Sequence, residues 1–211
     1  MKKFSFFLCV AIFATLLTTS CKKEVPDVPT IEINGVKWAK CNLDAPGTFA
    51  TEPENAGMFY QWNRKIGWSA TEPLKSSNGG TVWDASMPDT IGWTAANDPC
   101  PDGWRVPTIE ELEKLLDESK IKVENVWLTQ NNVSGRKFTD KTNGNFIFLP
   151  AAGQRKFDTG ALTSGSVAGF YWSSTQINEG FVRYVSFFNN TIGLNGSTQR
   201  NLGFSVRCVM K

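Results

Sequence analysis

The chain has no histidine among its 211 residues. That absence excludes serine–histidine–aspartate and cysteine–histidine nucleophilic catalysis, and it removes the commonest zinc ligand. An excess of charge is also missing. The formal net charge is +2, and Lys2 and Lys3 account for it, so residues 21–211 are formally neutral. A neutral chain with no basic run argues against nucleic acid as the main partner. The apolar run from Phe4 to Leu17 is shorter than the ~20 residues that a membrane-spanning helix needs. Cysteines are few. Cys9 lies within that run, which leaves Cys21, Cys41, Cys100 and Cys208.

What is present begins with an address. Two lysines, the apolar run and Thr18-Thr19-Ser20-Cys21 have the order of a secretory signal: basic start, apolar core, small residues at the cut. A cysteine directly after the small residues resembles a lipoprotein signal, in which Cys21 becomes the acylated first residue. The leucine usual three positions earlier is Thr18 here, and Leu17 lies one position before it. Residues 1–20 are therefore expected to be a signal peptide. Residues 21–30, with two prolines and no periodicity, read as an extended tether, and 31–211 as one domain. The expected location is the bacterial envelope, lipid-anchored at the outer membrane, on either face. With Cys21 acylated, three cysteines remain, enough for one internal disulfide and an odd thiol.

Local patterns predict the elements. Ile31 to Ala39 alternates around Asn34-Gly35, a pair suited to a type I′ hairpin turn. Met58–Trp62 reads as a short aromatic strand. Residues 64–99 read as a long loop, and its Trp68, Trp83 and Trp93 are expected to pin it to the core, with a stacking platform as the second reading. Thr108 with Glu111 three residues on forms a capping box after Pro107. Ile109, Leu112, Leu115 and Leu116 then make one apolar stripe, so a helix is predicted over 109–118. Its glutamates are explained by capping and solvation. Further strands are expected at 145–150, 169–175 and 181–188, the last as a central strand. In Gly203–Val209, Phe204, Val206 and Cys208 share one face, which points Cys208 inward.

Four segments together resemble a known family: Cys-Pro-Asp-Gly-Trp-Arg-Val-Pro-Thr-Ile-Glu-Glu-Leu from Cys100, Phe-Leu-Pro-Ala-Ala-Gly at 148–153, Tyr-Trp-Ser-Ser-Thr at 171–175 and Gly-Phe-Ser-Val-Arg-Cys-Val at 203–209. In this order they resemble the Fibrobacter succinogenes major paralogous domain family over about residues 31–209. That family is similar to the C-type-lectin-like and formylglycine-generating-enzyme superfamily. The resemblance implies an α+β, C-type-lectin-like domain of short antiparallel strands, one clear helix near 109–118 and long ordered loops. It also implies a Cys100–Cys208 disulfide, with Cys41 paired to either as the alternative. The calcium-dependent lectins' Glu-Pro-Asn and Trp-Asn-Asp motifs are absent, and the active cysteine pair of the formylglycine-generating enzymes has no counterpart.

The function expected is a non-catalytic binding or adhesion module that uses no cofactor and no metal. Its partners would be the membrane, through lipid on Cys21, and a protein or glycan. In this superfamily the C-terminal region displays ligand-contacting side chains. Here the candidates are Tyr171, Asn178, Tyr184, Asn189, Asn190, Asn195 and Arg200. An asparagine-rich C-terminal stretch is also reminiscent of retroelement-diversified variable regions. The competing reading for the asparagines is that they simply make turns. Two alternatives stand beside binding: an enzyme of the formylglycine-generating type, for which Cys41 is the spare cysteine, and a structural envelope component.

Overall fold

The computed structural model describes residues 30–88, 92–127 and 133–211. Cys21, the signal and most of the tether lie outside these residues. The chain opens with β1 (Thr30–Ile33) and β2 (Val36–Ala39). Asn34 and Gly35 both take positive φ, +46° and +74°, as the type I′ turn requires. Then follow β3 (Met58–Tyr60), β4 (Gly67–Ser69) and β5 (Trp104–Arg105). Helix α1 (Ile109–Glu113) is next. After it come β6 (Ile121–Val126), β7 (Gly135–Asp140), β8 (Phe146–Pro150), β9 (Gln154–Arg155) and β10 (Leu162–Thr163). The chain ends with β11 (Ala168–Gln176), β12 (Val182–Phe188), β13 (Ile192–Thr198) and β14 (Val209–Met210).

These strands form five small antiparallel sheets among the described residues, ordered β1-β2-β14-β5, β3-β4, β6-β7-β8, β9-β10 and β11-β12-β13. The last strand slots between the first hairpin and β5, pairing Val209 with both Trp38 and Arg105. The two ends of the domain thus share one sheet. A disulfide between Cys100 and Cys208 locks that arrangement across 108 residues. Cys41 is the free, buried cysteine among the described residues.

The expectation of an α+β, C-type-lectin-like fold is corrected: the architecture is all-β with one short helix. The helix starts where predicted. The Thr108 hydroxyl accepts from the Glu111 amide, and the Glu111 carboxylate accepts from the Thr108 amide. It does not reach 118. The α-helix stops at Glu113, and Lys114–Leu116 tightens into a 3₁₀ turn. Asp117 ends it, because its carboxylate captures the Ser119 amide and its carbonyl accepts from Ile121, an aspartate turn that competes with further helix. The apolar stripe still buries Ile109, Leu112 and Leu115. Five residues cannot form a helical layer, so the sheets supply the architecture.

Two apolar clusters fill the interior, and β11 lies between them. Its Phe170 and Trp172 pack with Trp62, Trp104, Phe204 and Val206, while Tyr171 points the other way, to Trp38, Leu112, Val185 and Phe187. A strand buried on both faces needs apolar residues at successive positions, and Phe-Tyr-Trp supplies them. Indole donors tie the clusters to the backbone: Trp62 to the Ser173 carbonyl at 2.9 Å, Trp172 to the Tyr60 carbonyl at 2.6 Å. The 64–99 loop is pinned as expected. Trp68 and Trp83 are buried with ring centroids 5.0 Å apart, and Trp93 packs edge-on to Trp62 at 5.3 Å.

Candidate binding surface at the C-terminal hairpins

The sheet β11-β12-β13 carries most of the sequence-derived candidates, and the structure gives them different jobs. Tyr171 is fully buried. Its hydroxyl donates to the Pro150 carbonyl at 2.9 Å and accepts from the Asn42 amide at 3.2 Å. Burial pushes its pKa up to about 12, against the pull of the neighbouring Arg207 guanidinium. Tyr184 is half-buried and packs over Phe204, Trp172 and Phe170. It lies against Gly196, where an added Cβ would come within 2.5 Å of the ring, so glycine is required at that close approach. Asn195 lies on β13.

The asparagines at the tips differ in role. Asn178 closes the β11–β12 hairpin, its side-chain oxygen accepting from the amides of Gly180 at 2.9 Å and Phe181 at 3.0 Å. Asn189 sits at the β12–β13 tip, and its side-chain oxygen is 2.7 Å from the Asn125 amide group. Arg136 donates to the Phe188 and Asn189 carbonyls of that tip, each at 3.0 Å. Asn190 is exposed beside it. Arg200 is buried and donates to the Glu179 carbonyl, holding the first tip from below.

What sequence reasoning missed is the apolar pair on that first tip. Ile177 is 44% exposed and Phe181 45%. They face each other across the turn, with the Ile177 amide on the Phe181 carbonyl at 3.0 Å. The tip is tethered to other segments as well. Gln176 accepts from the Gly92 amide at 2.6 Å and donates to the Asn178 carbonyl at 2.6 Å. Beside it, Asn201 donates to the Ala85 carbonyl and Gln61 to the carbonyls of Asp84 and Asn201. The signal available in the sequence was Ile177 and Phe181 flanking Asn-Glu-Gly, a turn between two exposed hydrophobes.

Buried arginines are the second unforeseen feature. Arg207 is fully buried. Its Nε donates to the Asn42 side-chain oxygen at 3.0 Å, Nη1 to the Ala39 carbonyl at 3.2 Å and to the Lys40 carbonyl, and Nη2 to the Phe148 carbonyl at 2.8 Å. Arg155, also fully buried, donates to the carbonyls of Ser69, Thr71 and Gly160 at 2.7–2.8 Å and reaches Glu72 at 3.1 Å. A guanidinium has five donors in a fixed fork. Ringed by carbonyls from separate segments, it fixes where those segments lie.

Cys41 lies in the same neighbourhood, and burial raises its pKa although Arg207 and Lys40 pull it down. A thiol of that kind holds little thiolate at neutral pH.

Together the geometry defines a class: a small disulfide-closed all-β domain that holds short hairpin tips on a scaffold fixed by buried side chains. The family model described as the Fibrobacter succinogenes major domain matches residues 26–210, and the chain belongs to that family. No curated protein and no solved structure matches the chain.

Proposed function

We propose that the chain is an envelope-anchored lipoprotein whose domain is a non-catalytic binding or adhesion module. Its ligand, a protein or glycan, is taken at the β11–β12 tip. The observation that carries this reading is the tip itself. Ile177 and Phe181 are held outward on a turn whose backbone is already hydrogen-bonded by Asn178, Gln176 and Arg200. Exposed apolar side chains on a pre-ordered turn lose little entropy on binding, which is how a small contact area yields useful affinity. Asn190, exposed on the neighbouring hairpin beside the exposed Asn189, adds a polar group to this surface. The lipoprotein-like order of residues 1–21, basic start, apolar run and Thr-Thr-Ser-Cys, supports the envelope location. An enzymatic reading would rest on Cys41, whose burial and raised pKa oppose nucleophilic use.

The test is a screen of the whole chain, purified in detergent, on arrays of glycans and of envelope and host-surface proteins. The double substitution Ile177→Ser, Phe181→Ser is expected to reduce any specific signal at least about tenfold, the scale of a truncated contact residue, with an unchanged melting temperature. An undiminished signal rejects the tip. No signal on any array favours a purely structural component.

A further inference from the structure

A second site lies away from the hairpin tip and shares no lining residue with it. A cleft of about 530 Å³ is lined by Thr30 and Ile31 of β1, by Lys40, Glu52, Pro53 and Glu54, and by the 144–148 segment that opens β8. Its volume falls within the ~300–1,000 Å³ of ligand pockets. Two strand edges meet there, since among the described residues β1 and β8 are each the last strand of their sheets.

The direction of the backbone on each edge follows from the pairing. Ile33 and Val36 flank the two-residue turn and Ile31 pairs with Trp38, so Ile31 and Ile33 face β2 while Thr30 and Glu32 turn outward. The Glu32 carbonyl confirms this by accepting from the Asn145 side chain at 3.1 Å. On β8, Phe148 turns outward, since its carbonyl accepts from Arg207. Phe146, two residues earlier, therefore turns outward too. The cleft thus offers N–H and C=O groups of Thr30 and Phe146 on strand edges, a half-exposed Phe146 ring backed by the Lys137 ammonium 4.5 Å from its centroid, and the carboxylates of Glu52 and Glu54.

We propose that this cleft binds an extended polypeptide segment carrying a basic side chain. The segment adds to the β1 or β8 edge through main-chain hydrogen bonds, sets an apolar side chain on Phe146 and reaches Glu52 and Glu54 with its cation. On β1 the outward groups that remain are those of Thr30, because Asn145 already holds the Glu32 carbonyl, and on β8 those of Phe146, because Arg207 holds the Phe148 carbonyl. A glycan is disfavoured because it has no repeating amide to meet the two edges.

The probe is a fluorescent, end-capped Val-Lys-Val-Lys-Val peptide, titrated against the whole chain in detergent by polarisation. Saturable binding is expected. Methylating alternate backbone amides should weaken it about tenfold, the scale of lost strand hydrogen bonds. Phe146→Ala should weaken it by a similar factor, and Glu52→Gln with Glu54→Gln should erase the preference over a Val-Glu-Val-Glu-Val peptide. Each variant is checked for an unchanged melting temperature, which these exposed or half-exposed positions permit. Equal binding of the methylated peptide, tighter binding of the glutamate peptide or no saturation at millimolar peptide overturns the proposal. So does protection of the Thr30 and Phe146 amides from exchange in the free chain, which would show the edges already paired. The tip variants Ile177→Ser and Phe181→Ser should leave this titration unchanged, so the two sites fail separately.

Discussion

Among the described residues, the buried Arg207 guanidinium is held by neutral acceptors. Burial lowers its pKa, opposed by Tyr171 and Cys41, yet its partners are carbonyls and the Asn42 amide oxygen. Removing it leaves those buried acceptors without donors, at roughly 1–3 kcal/mol each. Arg207→Met is therefore expected to lower stability by about 3–5 kcal/mol, read as a shifted urea midpoint. Arg207→Lys should recover only part, because a single ammonium cannot reach four separated acceptors. The sequence showed Arg207 and Ser205 on the second face of an alternating segment. It gave no sign that this face is as buried as the first, since alternation reports sidedness and not what covers each side. Cys41 makes a companion prediction. Its raised pKa means iodoacetamide at pH 8 should label it far more slowly in the folded chain than in guanidinium; equal rates would contradict the burial described.

Among the elements, the start of α1 was legible and its end was not. A cap is written in two residues three apart, whereas the stop depends on Asp117 taking the Ser119 amide, one of several turns the same residues permit. Glu111 binds Arg105 with two oxygens, both at 2.7 Å. Burial works against its ionised form, but the Arg105 and Thr108 hydrogen bonds prevail and hold its pKa below the usual value. A carboxylate depressed in the folded state stabilises above its unfolded pKa of about 4.3, and that contribution is lost as pH falls through the lower native value. Glu111→Gln should then cost about 1 kcal/mol at pH 7, discounted little for the mostly covered carboxylate. The gap to the parent should narrow as pH falls below the unfolded value of about 4.3. A gap independent of pH would assign the cost to packing alone. The asparagine candidates failed to separate for a related reason: the same side chain suits a turn, a contact between segments or a ligand, and Asn178 makes its turn while Asn189 accepts from Asn125.

For the molecule as a whole, closure of the ends was readable and fold class was not. The family resemblance implied the Cys100–Cys208 bond, and in the structure that bond holds the last strand beside the first hairpin in one sheet. The helix was weighed too heavily, because a strong cap says nothing about length. Opening the 108-residue loop with Cys100→Ala and Cys208→Ala should cost about 2–5 kcal/mol. At ~2–4 °C per kcal/mol for a domain of this size, calorimetry should find a loss of about 5–15 °C. A loss under ~2 °C would mean that the sheet and arginine contacts close the domain without it.

Binding at the β11–β12 tip requires that the tip be ordered before any ligand arrives. The direct measurement is amide exchange at Gly180 and Phe181, the two donors to Asn178. Both should exchange well below the unfolded-chain rate in the free protein. In Asn178→Ala they should approach that rate while the global melting temperature holds. Unprotected amides in the parent chain would contradict a preformed binding tip.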